Sequence, residues 1–512
     1  GWGGVEWSTI GRLESTFGGR FMRLIRLTLA ALLLAAMTGP AQAEPPSPPP
    51  FYAITDVKVV TGTGKTLEGA TVLVADGLIE SVGTGVSVPG DAWVIDGRGM
   101  MLFPGLIDAM TTVGQKQEEA SGGGGGMGGP PGRGNQPEVR GPEDRPQTST
   151  WLSAAERLGE DGRTEKWREA GFTSVVTVPD KGIFSGQAAL INLGQSRDLR
   201  EQIVAASVAQ RVALRSPGGF RTFPGSLMGT MAYVKQVFED ARYYSHAGAA
   251  YTDNPSGRGR VTHDRTLEPL VAAMDSGTPF LFPARLPREF DRALTIAETY
   301  DLNAILYGGQ GAYERIELLQ TTESPVLISL NWPEAKKDRD PDADTPLRTY
   351  YHRRMAVKTP SLLAEAGVPF GFYSDDLAST SEILEGVRKA VAGGLSNEAA
   401  LKALTHDAAT IYGVSNRLGS IETGKIANLV LASDWPWAEG AEIAAVFVDG
   451  RRFDLSEDEG PTEPPAQDVS GTWDIVLQTP GGARDMTAEL EMSADGKVKG
   501  DVTGERGSTV MD

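Results

Sequence analysis

Residues 101–114 of the chain read MLFPGLIDAMTTVG. An apolar run leads into Pro104 and Gly105, an apolar pair follows, and then comes Asp108. This order is typical of a barrel strand that delivers metal ligands at its carboxyl end. The next positions hold Met110 and Thr112, whose thioether and hydroxyl are poor ligands for a hard or borderline cation. The stretch therefore predicts the frame of a metal-binding strand without its ligands.

On both sides of this stretch the sequence indicates a two-part α/β architecture. Residues 102–411 alternate short apolar runs with amphipathic helical patterns, which predicts parallel βα units in a closed (β/α)8 TIM-like barrel. Residues 51–101 and 412–455 consist of short β-branched runs separated by Gly, Asp and Pro. We predict that they form one small β domain, a flanking layer of the β-sandwich type.

Two further segments differ in composition from the barrel. Residues 121–149 are rich in Gly and Pro, which predicts a disordered insert within the barrel. An acidic, Pro-containing linker at 456–468 leads into residues 469–512, where two or three antiparallel strands are expected as a partial β domain. Because the pattern stops unfinished, we expect the chain to be a fragment of a longer product.

The N-terminal region has the features of an export signal. Residues 1–21 look like an upstream remnant, and residues 22–43 combine a basic start, an apolar run at 27–37 and the small-x-small site Ala41-Gln42-Ala43. An N-terminal anchor helix is the alternative interpretation. A signal peptide would leave a Pro-rich leader at 44–50 and place the protein in the periplasm or outside the cell, with no membrane attachment after cleavage.

Composition excludes several kinds of site. The net charge of −19 over 512 residues argues against nucleic acid as a partner, because phosphate binding needs clustered Lys and Arg. The absence of cysteine excludes disulfides, thiolate zinc sites and Cys nucleophiles. Only four histidines are present, and no two are close enough in sequence to share a strand or a helical turn.

Three motifs in order carry a resemblance to a known family. They are FPGLID at 103–108, AGVPFGFYSD at 366–375 and NRLGSIETGKIANLV at 416–430. Residues 51–455 thereby resemble the amidohydrolase superfamily, in particular its imidazolonepropionase-like group. The resemblance implies a hydrolase of non-peptide carbon–nitrogen bonds, in which one or two divalent ions such as zinc activate water in the barrel mouth.

The ligand positions implied by the resemblance are largely replaced. The family has His-x-His after the first strand, Lys or Glu on the fourth, His on the fifth and sixth, and Asp on the last. The matching positions here are Met110 and Thr112, then Pro283, then Gly308 or Gly309, and finally Asp375. Lys235 lies in a helical pattern and is predicted to be a surface residue. We therefore predict no metal or other cofactor in this chain.

The remaining candidates for chemistry are few. Asp375 and Asp376 are candidate catalytic carboxylates, although Asp375 could instead order the loop that follows its strand. Ser185, Gly186 and Gln187 are candidate ligand-binding residues, since amides of a Gly-Ser loop can bind an anion or a carbonyl. The histidines are expected to be surface or capping residues: His246, His263, His352 and His406.

Two functional hypotheses follow. The first is a non-catalytic barrel, or the inactive part of a longer protein, which binds a small-molecule ligand or a partner such as a second amidohydrolase domain or another copy of itself. The alternative is an active periplasmic, metal-dependent amidohydrolase that uses Asp375. Metal-free acid/base hydrolysis by Asp375 and Asp376 is a minor third possibility.

Overall fold

The computed structural model describes residues 51–116, 145–196, 198–215, 223–335, 344–375, 377, 379–455, 471–479, 482–492, 498–504 and 507–511. The chain divides into two compact units, residues 1–49 and 50–512, and the described residues all belong to the second. The predicted upstream remnant, signal peptide, Pro-rich leader and 456–468 linker lie outside these residues. No helix in the described ranges is long and apolar enough to cross a bilayer.

Eight strands form the barrel sheet in the order β13-β12-β11-β10-β9-β8-β7-β6. Their bounds are β6 Leu106–Thr111, β7 Phe172–Thr177, β8 Phe184–Asn192, β9 Ile203–Val212, β10 Phe280–Ala284, β11 Ala304–Gly308, β12 Val326–Ser329 and β13 Phe370–Tyr373. All neighbours are parallel except β8, which pairs antiparallel with both β7 and β9.

The reversed strand β8 corrects the prediction of eight parallel βα units. Only residues 178–183 connect β7 to β8, and a parallel connection would need a crossover of a dozen or more residues. The chain therefore turns back as a hairpin, and β7, β8 and β9 follow each other with no α-helix between them. The amino end of β8 consequently lies at the same edge of the sheet as the carboxyl end of β7.

The first and last barrel strands meet at Asp108. Its carboxylate on β6 accepts hydrogen bonds from the Ser374 amide just after β13, at 3.0 Å, and from the Trp167 indole, at 3.1 Å. No ladder joins β6 to β13, so this buried side chain supplies a bond across the seam. The barrel is nearly closed.

Alternate strand positions separate an inner apolar cluster from an outer one, as the period of two along a strand requires. The inner cluster includes Ile107, Ala109, Leu190, Leu281, Ile305 and Leu327. The outer cluster packs strand residues such as Leu106, Val175 and Ile328 against the helices.

The helices around the barrel bury one apolar face. In α4 the buried residues Phe290, Ala293, Leu294 and Ala297 recur three or four residues apart. The helices are α1 Arg163–Glu169, α2 Leu227–Asp253, α3 Leu267–Asp275, α4 Pro287–Tyr300, α5 Ile316–Thr322, α6 Leu347–Ala356, α7 Thr359–Ala366, α8 Thr380–Ala392, α9 Asn397–Leu404 and α10 His406–Ile411.

A second sheet combines the two segments that flank the barrel in sequence. Its order is β16-β15-β14-β5-β1-β2-β3, with β4 on β1. The strands are β1 Phe51–Val60, β2 Thr66–Ala75, β3 Leu78–Gly83, β4 Trp93–Asp96, β5 Met101–Pro104, β14 Leu429–Ala432, β15 Ile443–Val448 and β16 Arg451–Asp454. Strand β5, most of which lies in the segment that the sequence assigned to the barrel, pairs antiparallel with β14. One small β domain of the sandwich type stays a prediction.

The predicted disordered insert needs a correction at its end. Residues 117–144 lie outside the described part of the chain, but residues 145–149 are ordered against the barrel. Arg145 forms ion pairs with Asp240 and Asp264, and Thr148 is buried. Near the C-terminus, the structure has four antiparallel strands where two or three were predicted: β17 Gly471–Thr479, β18 Gly482–Met492, β19 Val498–Gly504 and β20 Gly507–Met511.

Candidate functional site

The two positions that correspond to His-x-His lie at the carboxyl end of β6, Met110 within the strand and Thr112 just after it, and both are engaged elsewhere. Met110 packs against the apolar cluster inside the barrel. The Thr112 hydroxyl accepts a hydrogen bond from Nη1 of Arg163 at 3.1 Å, while Nη2 of Arg163 donates to the Thr112 carbonyl at 3.0 Å. Neither side chain offers a free donor atom that suits a divalent cation.

The positions on the fifth and sixth strands carry no side-chain ligand. Pro283 lies on β10, directly beside Tyr307 of β11. Gly308 and Gly309 follow with φ of +108° and +60°. A Cβ on Gly309 would lie 2.8 Å from the Leu327 carbonyl oxygen, so the backbone leaves no room for a side chain there. This part of the mouth cannot hold a histidine without moving β12.

The fourth barrel strand is β9, and its carboxyl end carries Arg211. Nη1 of Arg211 donates to the Pro179 carbonyl at 3.2 Å, and the guanidinium lies 5.6 Å from the centre of the Tyr307 ring. Lys235 lies on helix α2, in agreement with its predicted helical position. Sequence reasoning missed Arg211, although its place at the end of the run IVAASVAQRV was a usable signal.

Asp375 follows β13 and is bound by a residue of β12 and by one just after β10. Nη2 of Arg285 lies 2.7 Å and 2.6 Å from its two carboxylate oxygens, and the Ser329 hydroxyl donates to Oδ2 at 2.7 Å. The Asp375 side chain is 11% exposed, while that of Arg285, just after β10, is 53% exposed. Asp375 also has a φ of +47°. Its neighbour Asp376 lies outside the described residues.

Charge and burial act in opposite directions on Arg285. Burial of the guanidinium lowers its pKa, but the Asp375 carboxylate beside it, together with Tyr373 and Tyr307, raises it more, and the pKa is raised overall. The guanidinium is therefore a permanent cation at the position where the resemblance implies metal.

Two tyrosines lie beneath this ion pair. Tyr307 and Tyr373 pack edge to face with ring centres 6.5 Å apart. Burial, reinforced by Asp375, raises the pKa of the Tyr373 phenol well above its ordinary value. Tyr307 thus gives the mouth an aromatic wall residue, and the buried Tyr373 beside it stays neutral.

The donor set does not fit a divalent metal. No group of three or more His, Asp or Glu side chains within the described ranges is arranged to bind a cation. Asp375 supplies one carboxylate, and an arginine already occupies it. Tight divalent sites in barrel mouths need several carboxylate or imidazole ligands.

The four histidines lie on separate elements. His246 is on helix α2, not in the loop that its sequence suggested, and His352 and His406 lie on α6 and α10. His263, before α3, contacts Glu268 at the surface, with Nδ1 2.7 Å from Oε2. His246 and His263 are exposed, as predicted for surface residues, whereas His352 is half-buried beside Tyr313 and Nδ1 of His406 is buried without a hydrogen-bond partner among the described residues.

Ser185, Gly186 and Gln187 lie in strand β8, whereas the sequence suggested a loop. The Gln187 amide donates to the Leu152 carbonyl at 2.7 Å, so its backbone is already engaged. Buried Ser185 lies 3.5 Å from Nη1 of Arg211. The ligand-binding role of the three stays a prediction, and Ser185 reaches the mouth only through Arg211.

A pocket of about 570 Å³ opens beside these residues. Its wall includes Arg211, Pro283, Arg285 and Tyr307 from the ends of barrel strands β9 to β11. Residues at the start of helices α2 and α4 complete it. The pocket therefore lies at the barrel end where βα barrels place their ligands.

Comparison with known proteins agrees with this architecture. Residues 325–453 match the sequence model of the Amidohydrolase family. No curated protein sequence matched the chain. Among solved structures, an amidohydrolase from Thermotoga maritima MSB8 is 24% identical with a TM-score of 0.65, and the match covers 79% of this chain and all of that one.

Two more distant structures were also matched. A Xaa-Pro dipeptidase with methionine bound in its active site is 16% identical, with a TM-score of 0.48, 79% of this chain covered and all of that one. An ochratoxinase from A. niger is 13% identical, with a TM-score of 0.47 and coverages of 79% and 95%. The chain has an amidohydrolase-like fold, and residues 325–453 carry the sequence match to that family.

Proposed function

We propose that this protein is a non-catalytic barrel with an amidohydrolase-like fold, in which an arginine has taken the place of the metal. The observation that carries the proposal is the contact between Arg285 and both oxygens of Asp375. Nη2 of Arg285 donates to both oxygens, a charge-assisted contact that neutralises the carboxylate without a metal. The ion pair is thus complete with the residues present.

The surroundings of Asp375 support the same proposal. A divalent ion there would have to displace Arg285 or bind beside a permanent positive charge, and Ser329 already donates to the second oxygen. Met110 and Thr112 are engaged with the apolar cluster and with Arg163. Coordination of a divalent ion would therefore break existing contacts of Asp375, Met110 and Thr112, and it would gain one carboxylate ligand.

Metal analysis of the full chain tests the proposal. The protein is dialysed against Zn²⁺ and Mn²⁺, and bound metal is measured by elemental analysis in the wild type, Asp375→Ala and the control Asp91→Ala, an exposed carboxylate far in sequence from the site. We expect far less than one ion per chain in all three. Near-stoichiometric metal that is lost only in Asp375→Ala would sink the proposal.

An active metal-dependent amidohydrolase remains the second candidate, favoured by the position of Asp375. The carboxylate stands directly after the last barrel strand β13, where the resemblance places a metal-binding Asp. Hydrolysis of a panel of amides, cyclic amides and dipeptides, with and without added Zn²⁺, tests this candidate. Turnover that needs Zn²⁺ and disappears in Asp375→Asn would establish it over the non-catalytic barrel.

A further inference from the structure

The pocket at the barrel mouth is rich in positive charge. Four arginines line it, Arg211, Arg215, Arg285 and Arg292, against two carboxylates, those of Asp180 and Glu289. The chain as a whole has a net charge of −19. A concentration of arginine on one concave surface of so acidic a protein attracts anions locally, because the charged walls of a cleft focus the field within it.

Most of this positive charge is available. Arg285 is neutralised by Asp375, but Arg215 and Arg292 have no hydrogen-bond or ion-pair partner within the described ranges. Arg211 contacts only neutral oxygens, those of Pro179 and Ser185, and its buried Nε has no partner among these residues. The positive charge of Arg211 is therefore not balanced by a carboxylate among these residues.

Two helices begin at the pocket wall and add to the attraction of the pocket for anions. Helix α2 begins at Leu227 after its N-cap Ser226, and α4 begins at Pro287, so the positive ends of both helix dipoles lie at the pocket wall. The Glu289 carboxylate accepts hydrogen bonds from the Arg285 and Leu286 amides, at 2.8 and 3.1 Å. One of the two acidic groups in the pocket is thus engaged in capping α4.

Other residues of the pocket wall are apolar and suit an apolar part of a ligand. Leu214, Leu227, Pro283 and the Tyr307 ring face the same space as the arginines. A volume of about 570 Å³ lies in the range typical of small-molecule sites. The occupant that matches both surfaces has an anionic group for the guanidinium forks and a compact apolar body.

We propose that the barrel mouth binds a small organic anion, whose carboxylate or phosphate group is held by Arg211 and Arg292 and whose apolar part lies against Tyr307 and Leu227. This inference rests on the proposed non-catalytic function and gives it a ligand class. Arg285, occupied by Asp375, forms the fixed side of the pocket and leaves the other arginines to the ligand.

Binding of three matched probes to the full chain tests the inference. Benzoate, phenyl phosphate and the neutral benzamide have the same ring, and calorimetric titration gives the Kd of each. We expect both anions, or one of them, to bind at least about 10-fold more tightly than benzamide, since hydrogen bonds to charged groups are the stronger ones. The preference between the two anions identifies the head group.

Arginine variants locate the site. Arg292→Gln and Arg211→Gln are expected to weaken the favoured anion about 10-fold, whereas Arg288→Gln, exposed on the same helix α4 and outside the pocket, leaves it unchanged. Circular dichroism verifies that each variant is folded, and the partly exposed Arg292 is the safer substitution.

Several results would overturn the inference. They are equal affinity for benzamide and the anions, no binding of either anion at tens of millimolar, and an equal loss in Arg288→Gln. Metal content measured on the same preparations separates the two proposals. If the protein is metal-free and binds neither anion, only the proposed anion site is refuted. If it binds stoichiometric metal at Asp375, the non-catalytic function is refuted, regardless of the affinities for the three probes.

Discussion

At the scale of single residues, Asp108 shows how the barrel tolerates a buried carboxylate. Burial raises its pKa to about 6, and the hydrogen bonds from Ser374, Trp167 and the Met110 amide limit the rise. Between about pH 4 and pH 6 the folded chain keeps a proton on Asp108 that the unfolded chain has released. The contribution of Asp108 to the free energy of unfolding therefore falls as the pH rises through this window.

We expect Asp108→Asn to abolish this decline. Relative to the wild type, the unfolding free energy of the variant should rise by roughly 3 kcal/mol from pH 4 to pH 7. Its baseline at pH 4 should be lower, because the Asn amide group would face the Trp167 N–H or the Ser374 N–H with a second donor. Urea unfolding at pH 4, 5, 6 and 7 measures the difference. A constant offset across this range would contradict the assignment.

The Arg285–Asp375 pair permits a double-mutant cycle. With the guanidinium half exposed, the coupling between Arg285→Gln and Asp375→Asn should be about 0.2–1 kcal/mol in the free energy of unfolding. The exposed local pair Arg98–Asp96 serves as the matched control and should show weaker coupling. Additive effects of the two substitutions at Arg285 and Asp375 would mean that the pair does not form in solution.

At the scale of elements, strand β8 is where the barrel departs from regular βα repetition. Gly186 has a φ of +123°, and a Cβ there would lie 2.4 Å from the Leu152 carbonyl oxygen. This close approach allows residues 149–153 to pass over the strand, and the Leu152 carbonyl accepts from the Gln187 amide. The glycine thus serves the packing of β8 rather than a loop.

Gly186→Ala is expected to lower the free energy of unfolding by roughly 3 kcal/mol, since it combines a strained φ with a backbone collision. Gly248→Ala is the matched control, because Gly248 lies inside helix α2 with open space where its Cβ would be. It should stabilise the protein by about 0.5–1 kcal/mol. Chemical denaturation of both variants provides the comparison, and an equal effect of the two would refute the role of Gly186.

The elements also show what could be read from sequence. The inner and outer faces of β6 and the helices α2 and α4 follow from apolar spacing alone. The direction of β8 does not, because strand composition is the same in either direction, and only the six-residue connection at 178–183 indicated a hairpin. The sequence did not predict the pocket either, because the pocket depends on how the strands are arranged in the sheet. Its arginines lie far apart in sequence, and only the strand order brings Arg211 and Arg285 to one mouth.

At the scale of the whole molecule, the barrel and the second sheet share polar and apolar contacts. Asn428, before β14, donates to Ser174 on β7 and to Asn192 on β8, at 3.1 and 2.9 Å. Asn192 donates in turn to Asp449 beyond β15, at 2.6 Å, and the Asp449 amide donates to Asn428. Val430 and Val446 of the second sheet belong to the same apolar cluster as the barrel strands. Two parts joined in this way should unfold together.

Asn428→Ala is expected to lower the free energy of unfolding by roughly 2 kcal/mol, because it leaves the Asp449 amide and the Ser174 hydroxyl short of partners. Asn303→Ala, which removes one exposed hydrogen bond to Gly277, is the control and should cost less. Urea unfolding followed by tryptophan fluorescence and by far-ultraviolet circular dichroism compares the probes within each variant. Coincident curves in Asn428→Ala would show that the shared apolar cluster is sufficient to keep the two sheets in one cooperative unit, whereas two separated transitions would show that the polar network couples them.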